Sequence, residues 1–243
     1  MTRELLKVYE KSIKSQVIFY LFLPLLTLQI SARYNGCMSE VKTDVIIHPT
    51  AEVAYKVTIG EGTKIGPYTQ VRTGASIGKK CILSSHDYID AGVHIGDFVH
   101  IHEHVSLFFG VTIEDGVVIG PQVSFTNIRY PRSISPDGAD LPGNDWRPEG
   151  TRVGHGASLG ANVTIRCGVS IGTWAMIGAG SMVTRDIPDH GLACGNPAKL
   201  IGFVCSCGAS LELFRYHGTF SQMNCIKCGT RIDIPTNLVM VTP

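Results

Sequence analysis

Two histidines and a glutamine are evenly spaced along this chain, and the middle one of the three belongs to a dense polar run. Gln122 follows His104 at the same interval at which His104 follows His86, and Glu103 directly precedes His104. Imidazoles stacked on one another repel when both are charged, so at least one should be neutral near pH 7 and able to accept a proton. The residues therefore predict a general base at His104, assisted by Glu103 and His86, if the fold stacks positions at this interval on one another.

Four of the eight cysteines form a second candidate site near the end of the chain, and they are Cys205, Cys207, Cys225 and Cys228. They read Cys-x-Cys-Gly and Cys-x-x-Cys-Gly, and paired thiolates followed by glycine suit a tetrahedral zinc knuckle. Four protein ligands leave no open position, so the spacing predicts structural and not catalytic Zn²⁺. Two disulfides and four free thiols are the alternatives. Zinc fits a reducing compartment, and we expect a cytoplasmic protein.

A repeat six residues long is the element that must position the histidines, whose interval equals three such repeats. Counting in sixes from Ile47 meets an apolar residue at every step to Phe125, and the count resumes at Val153 and runs to Val183. This period fits neither a helix nor one strand, and it is typical of a parallel β-helix. The large apolar residue should point inward, a small one four positions later, such as Cys81, should fill the corner, and the frequent glycines should give the backbone freedom at turns. The strands of successive coils should stack at about 4.8 Å.

Three segments are expected along the chain. Residues 1–37 form an N-terminal extension, residues 38–203 form the repeat domain with a loop at 126–152, and residues 204–243 form the four-cysteine module. The loop is rich in proline and glycine, and long loops on a rigid scaffold are commonly functional. The apolar run at residues 17–30 reads as an export or membrane segment, as a helix packed on the coil, or as untranslated sequence if translation begins at Met38.

The charge balance excludes one class of partner, and the repeat architecture favours another. The formal net charge is +1, which gives no basic surplus for nucleic acid. A solenoid with flat exposed faces often buries one of them by self-association. We therefore expect a homo-oligomer that does not bind nucleic acid, with membrane contact left open by residues 17–30.

Two stretches carry a resemblance to a known family. The runs at 120–133 and 156–172, above all Phe-Thr-Asn and Tyr-Pro-Arg at the loop entrance, resemble hexapeptide-repeat acyltransferases, within them the N-acetyltransferases of nucleotide-linked amino sugars. The resemblance implies an all-β, left-handed, three-sided parallel β-helix with an extruded loop, to which this chain adds a small four-cysteine zinc-ribbon-like module. It also implies a homotrimer that binds acetyl-CoA between subunits and makes acetamido sugars for surface polysaccharide.

The same resemblance implies positions for the ligands. The Gly178–Thr184 run and the Gly-Asn-Pro-Ala-Lys stop are similar to the family's coenzyme signature, which places beside the coenzyme the residues Ala161, Ala179, Thr184 and Lys199. The nucleotide sugar would meet the residues Gln122, Asn127, Arg129 and Arg132. Many members carry Gln-Asn-Asn where this chain has His102-Glu103-His104, so the base is not given by the resemblance. In some members the leaving thiolate accepts the proton.

Three functions follow, in order of preference. The first is acetyl transfer from acetyl-CoA to the amine of a nucleotide-linked amino sugar. The second is O-acetylation of a sugar or serine hydroxyl, which needs a stronger base. The third is a catalytically silent trimeric platform that binds a protein partner through the cysteine module. A three-histidine zinc site like that of the γ-class carbonic anhydrases is disfavoured, because Gln122 stands two coils above His86 where that site needs a histidine.

Overall fold

Short strands make up almost all of the regular structure. The computed structural model describes residues 40–41, 44–139 and 148–240. The strands are β1 (Glu40–Val41), β2 (Ile46–Ile47), β3 (Glu52–Val53), β4 (Thr58–Ile59), β5 (Lys64–Ile65), β6 (Gln70–Val71), β7 (Ser76–Ile77), β8 (Ile82–Leu83), β9 (Tyr88–Ile89), β10 (His94–Ile95), β11 (His100–Ile101), β12 (Ser106–Leu107), β13 (Val111–Ile113), β14 (Val118–Ile119), β15 (Ser124–Phe125), β16 (Thr151–Val153), β17 (Ser158–Leu159), β18 (Thr164–Ile165), β19 (Ser170–Ile171), β20 (Met176–Ile177), β21 (Met182–Val183), β22 (Gly191–Cys194), β23 (Lys199–Phe203), β24 (Leu211–His217), β25 (Phe220–Cys225) and β26 (Arg231–Pro235). A single helical turn, α1 (Thr236–Val239), follows them.

Every third strand pairs in parallel, which closes the chain into a three-sided solenoid. The first face has the order β1-β4-β7-β10-β13-β16-β19, the second runs β2-β5-β8-β11-β14-β17-β20-β22-β23, and the third runs β3-β6-β9-β12-β15-β18-β21. Partners stand at equivalent positions of successive coils, as in Ile47 with Ile65 and Ile95 with Ile113. The predicted parallel β-helix is therefore confirmed.

The inward residues of all three faces form one continuous core. The residue that ends each strand points inward, and Leu83, Ile101 and Phe125 are each at most 1% exposed. The small residues predicted for the corners are buried as well, including Cys81 and Ala157 at 0%. A single coil could not bury this apolar surface, so its burial depends on stacking against neighbouring coils.

The structure gives a different reason for the repeated glycines from the backbone freedom that was predicted. Positive φ occurs three positions after the inward residue and is adopted there by non-glycine residues such as His86 and Trp174. The glycines that directly follow the inward residue meet another constraint, because an added Cβ on Gly66 would lie 1.9 Å from the carbonyl oxygen of Ser84 in the next coil. Close approach between coils, and not backbone freedom, requires glycine at such a position.

The long loop leaves the solenoid without disturbing its register. On the first face Ile95 pairs with Ile113 before the loop, and Ile113 pairs with Val153 across it, so the loop is a single insertion within one coil. The strand β16 begins at Thr151, so the loop ends slightly earlier than predicted. We name the edge from which it emerges, between the third and first faces, the loop corner.

The four-cysteine module packs on the end of the solenoid. Strand β22 continues the second face, and β23 turns back antiparallel to it. Strands β24, β25 and β26 form a separate antiparallel sheet. Its small core contains Phe203 from β23 and Leu211, Met223 and Ile234 from the sheet. The extra module predicted at the end of the chain therefore shares its core with the last strand of the second face.

Among the described ranges, no helix has the length and apolar character needed to cross a bilayer. The predicted apolar segment at residues 17–30 and the alternative start at Met38 lie outside the described residues.

Neighbouring residues of one strand give a direct test of the inward register. Leu83 is 1% exposed and Ile82 is 39% exposed. We expect Leu83→Ala to lower the free energy of unfolding by about 3 kcal/mol, because it leaves a cavity between stacked coils. Ile82→Ala should change it by less than about 1 kcal/mol. Urea unfolding of both variants measures the difference, and equal losses would contradict the assigned register.

Candidate active site and metal centre

The predicted histidine stack exists, at the edge between the second and third faces, which we name the histidine corner. The rings of His86 and His104 are stacked with centroids 4.8 Å apart and an interplanar angle of 22°. Tyr68, one coil earlier, extends the stack with its ring centroid 4.9 Å from that of His86. Tyr68 was not predicted as a member of the stack, although it precedes His86 at the interval that separates the two histidines.

Backbone hydrogen bonds hold this corner in register. The amides of His86, His104 and Gln122 donate to carbonyl oxygens of the preceding coil, at 3.0, 3.0 and 2.9 Å. Beyond the loop, Asn162 and Gly180 continue the same ladder at 2.9 and 2.8 Å. All five residues have φ between 57° and 70°. The side chains at these positions therefore project from one straight edge of the solenoid.

Glu103 contacts a different histidine from the one that the sequence analysis favoured. Its Oε2 lies 4.0 Å from Nδ1 of His102, and both side chains are about half exposed. The carbonyl oxygen of Glu103 accepts the amide of Gln122 at 2.9 Å. Assistance of His104 by Glu103 stays a prediction, and the contact that the structure gives the carboxylate is with His102.

A carboxyl group that was not predicted as a site residue, Asp87, lies directly inside the histidine corner. Asp87 is 1% exposed, its Oδ1 accepts the amide of Val105 at 2.9 Å, and its Oδ2 has no hydrogen-bond partner within the described residues. Burial raises the pKa of this carboxyl from its usual 3.8 to about 7. The amide of Val105 opposes the rise, the Glu103 carboxylate adds to it, and the backbone of Ser84 opposes it.

The residues predicted to meet a coenzyme lie at the C-terminal end of the solenoid. Ala161 belongs to the histidine corner, since its carbonyl oxygen accepts the amide of Gly180 at 2.8 Å, and Ala179 is exposed beside it. Thr184 directly follows β21 on the third face, and Lys199 is the exposed first residue of β23. Two of the four residues thus lie on the histidine corner, one position before Asn162 and Gly180.

The residues predicted to meet the sugar nucleotide lie partly at the base of the loop. The amide of Glu149 donates to the carbonyl oxygen of Asn127 at 2.9 Å, and Arg129 Nη2 lies 2.8 Å from Glu149 Oε2. Gly168 lies beneath this pair, where an added Cβ would stand 2.6 Å from Glu149 Oε2. Arg132 is exposed and donates to the carbonyl oxygen of Pro131. Arg129 therefore holds the two ends of the loop together in this structure.

The histidine corner and the loop corner are separated by the third face. Gln122 is on one corner and Asn127, five residues later, is at the other, so their Cα atoms are at most about 17 Å apart. The outer surface between them carries the ring of Tyr88, which contacts Phe108 with centroids 5.8 Å apart and lies 6.0 Å from the guanidinium carbon of Arg72. One molecule that met both groups of predicted residues in a single chain would lie across this face.

The four predicted cysteines converge at one point. All four Sγ atoms lie within 4.8 Å of one another. Cys205 and Cys228 are 3.6 Å apart, and Cys207 and Cys225 are 3.5 Å apart, whereas a disulfide requires about 2.05 Å. Tetrahedral Zn²⁺ with bonds of about 2.3 Å needs sulfurs about 3.8 Å apart. The arrangement fits Zn²⁺ in size, charge and ligand type.

The backbone around the cysteines also suits bound thiolates. The amides of Lys227 and Cys228 point at Cys225 Sγ at 3.4 and 3.5 Å. Gly208 and Gly229, one residue after each pair, have φ of 83° and 72°, which glycine adopts at no steric cost. These turns suit two zinc knuckles, and the four cysteines could hold a metal ion.

Known proteins share both the repeat and part of the sequence. The family described as bacterial transferase hexapeptide (six repeats) matches residues 150–185. The same strand geometry and register run back to β2. The chain therefore matches the hexapeptide-repeat transferases over these residues. The hexapeptide-repeat geometry of its coils is also that of a solved UDP-N-acetylglucosamine acyltransferase from Bacteroides fragilis, at a TM-score of 0.52 and 19% identity over 65% of this chain and 61% of that one.

This chain has two curated relatives whose names give different substrates. It is 47% identical over 89 residues to the dTDP-3-amino-3,6-dideoxy-alpha-D-galactopyranose 3-N-acetyltransferase of Aneurinibacillus thermoaerophilus, a match that covers 37% of this chain and 43% of that protein. It is 43% identical over 90 residues to serine acetyltransferase 4 of Arabidopsis thaliana, across 37% of this chain and 24% of the relative. The matches thus span less than half of either relative.

The buried carboxyl of Asp87 should make stability depend on pH. Its pKa is about 7 in the folded state and near 3.8 when unfolded. The neutral carboxyl is therefore compatible with the folded state below pH 4, and the free energy of unfolding falls as the pH rises from 4 to 7. We expect the stability of Asp87→Asn, relative to the unchanged protein, to rise by about 4 kcal/mol between pH 4 and pH 8. Urea unfolding across this range measures the difference, and a pH-independent difference would show that Asp87 is not buried as described.

Zinc content tests the cysteine cluster. We expect about one Zn²⁺ per chain by mass spectrometry of the purified protein, and Cys225→Ser should lose it together with protease resistance of residues 204–240, because a four-thiolate site loses a ligand. Cys194→Ser, outside the cluster, is the matched control and should keep the metal. Metal-free protein with an intact module would contradict the assignment.

Proposed function

We propose that this protein transfers an acetyl group from acetyl-CoA to the amine of a nucleotide-linked amino sugar. The observation that carries the proposal is the 47% identity to an amino-sugar N-acetyltransferase, together with a histidine corner that also carries Ala161 and Ala179 in later coils. The chain thus offers a candidate base and a candidate coenzyme strip along one edge of a rigid solenoid.

Acetyl-CoA lies along the C-terminal coils in this proposal. The small side chains of Ala161 and Ala179 let the pantetheine arm approach the backbone, Thr184 borders it on the third face, and Lys199 meets phosphate as a point charge. The sugar nucleotide occupies the third face between Gln122 and the loop base. Asn127 and Arg132 are available there for hydroxyl and diphosphate groups, whereas Arg129 reaches them only by sharing or leaving its pair with Glu149.

The chemistry requires little more than alignment and one proton acceptor. The neutral amine attacks the thioester carbonyl, a C–N bond forms, and a backbone amide stabilises the developing oxyanion. The C–S bond then breaks and the electron pair leaves with the CoA sulfur. The amine proton passes to His104, with His86 and Glu103 nearby, and reaches the thiolate from there. The solenoid contributes chiefly the orientation of the two substrates.

Assembly completes the proposal. In one chain the histidine corner is an open edge, and the family resemblance supports a homotrimer in which a second subunit covers that edge. Zn²⁺ held by Cys205, Cys207, Cys225 and Cys228 would stabilise the module that packs on the C-terminal end of the solenoid. No step of the reaction passes through the metal.

A second candidate is O-acetylation of a serine or sugar hydroxyl, which the identity to a serine acetyltransferase supports. A hydroxyl has to lose its proton to attack, whereas a neutral amine does not. The two candidates therefore differ in how strongly they depend on a base at His104.

Titration and product analysis test the function. Calorimetric titration of the full-length, zinc-loaded protein with acetyl-CoA should show binding, and thiol release should depend on a dTDP- or UDP-linked amino sugar and not on serine. Release that depends on serine would move the second candidate to first place. If the folded protein binds no acetyl-CoA, both acetyl-transfer candidates are wrong, and a catalytically silent platform that binds a protein partner is favoured.

The base is tested by a substitution that the backbone tolerates. His104 has φ of 61°, a region that Asn enters more readily than most residues, so His104→Asn removes the imidazole with little cost to the fold. We expect kcat for the amino sugar to fall about a hundredfold without being abolished. Lys80→Asn, with φ of 53° on the corner between the first and second faces, is the matched control and should keep full activity. Unchanged kcat in His104→Asn would exclude His104 as the base.

A further inference from the structure

Asp87 occupies a position where the other coils place a side chain without charge. It is the inward corner residue of its coil, and the same column holds Thr69 below it and Val105 and Val123 above it, all at 0% exposure. A buried carboxyl with an unpartnered oxygen costs free energy that valine would not. The fold itself therefore gives no reason for an acid at this point.

The hydrogen bond of Asp87 joins the two histidines of the stack through the backbone. Asp87 directly follows His86 in the chain, and its Oδ1 accepts the amide of Val105, which directly follows His104, at 2.9 Å. The carboxyl thus ties the chain just after one stacked imidazole to the peptide just after the other. At another corner, the residue one coil before Val93 is Ala75, whose side chain cannot accept a hydrogen bond. The amide of Val93 instead makes a longer bond of 3.4 Å to the carbonyl oxygen of Asp90.

We propose that Asp87 is a positioning residue, which holds His86 and His104 in their stack by accepting the Val105 amide from inside the coil. It touches neither substrate nor coenzyme. The orientation of the two exposed imidazole rings depends on the peptides that carry them. The hydrogen bond that Asp87 accepts from the Val105 amide is a buried contact at the peptide that follows His104. Its kinetic consequence rests on the acetyl transfer proposed above, whereas its structural consequence does not.

Two substitutions at position 87 separate the loss of the hydrogen-bond acceptor from the change in side-chain volume. Asp87→Val fills the site with the residue type of the next two coils and removes the acceptor, and Asp87→Asn keeps an amide oxygen in its place. Thr63→Val is the matched control, because Thr63 Oγ1 accepts the amide of Cys81 at 3.0 Å in the same kind of bond on the corner between the first and second faces. All three variants change buried residues, so urea unfolding first confirms that each is folded.

The first readout is independent of turnover. Nuclear magnetic resonance of histidine labelled with ¹³C at Cε1, assigned with His86→Asn and His104→Asn, reports the mutual ring contact of the two imidazoles. We expect Asp87→Val to shift both signals towards their values in the single-histidine variants, and Asp87→Asn and Thr63→Val to leave them near those of the unchanged protein. Unshifted signals in Asp87→Val, or equal shifts in Thr63→Val, would overturn the proposal.

The second readout compares the effects of the substitutions on kcat and on KM. Asp87→Val should lower kcat for the amino sugar about tenfold through misplacement of His104. The KM for acetyl-CoA should not change, because the coenzyme residues lie in later coils. Asp87→Asn should restore kcat, and failure to do so would show that the Val105 bond is not the cause. If the unchanged protein turns over no amino sugar, the function fails and the ring signals still decide the positioning role.

Discussion

The hydrogen bond from each coil to the next is the constraint on which the rest of this structure depends. The amide of His48, for example, donates to the carbonyl oxygen of Ile65, and the same step repeats along every face. Since most strands are very short, no strand could hold its register alone. A slip of one residue would turn each inward side chain outwards, so the apolar core and the ladder enforce one another. The histidine stack is a consequence of this register.

The sequence predicted the solenoid well because one physical period governs it. The inward residues from Ile47 to Val183, the buried corners and the coil-to-coil register that stacks His104 on His86 all follow from counting in sixes. The convergence of the four cysteines followed from their spacing in the same way. Local spacing suffices for these features because each depends on contacts that repeat or on residues that are close in the chain.

Features that depend on one particular side chain were not predictable from the period. The sequence does not reveal that Arg129 closes the loop base with Glu149, since the two stand at opposite ends of the loop and only the fold brings them together. Glu103 contacts His102 because of how its side chain leaves the corner. Asp87 was missed because an acid normally indicates a solvent-exposed position, whereas the repeat itself places position 87 in the small, buried corner column.

The burial of Asp87 is also evidence about the function of the histidine corner. Valine fills the same column in the next two coils, so the packing does not require an acid there. The carboxyl has a raised pKa because its charged form is poorly solvated, which makes the folded state less stable at neutral pH than an apolar corner would. Residues that lower stability where a neutral neighbour would fit are concentrated at functional sites. The one such carboxyl in the described coils follows His86 in the chain and accepts the amide that follows His104, which supports the histidine corner as the functional edge of the solenoid.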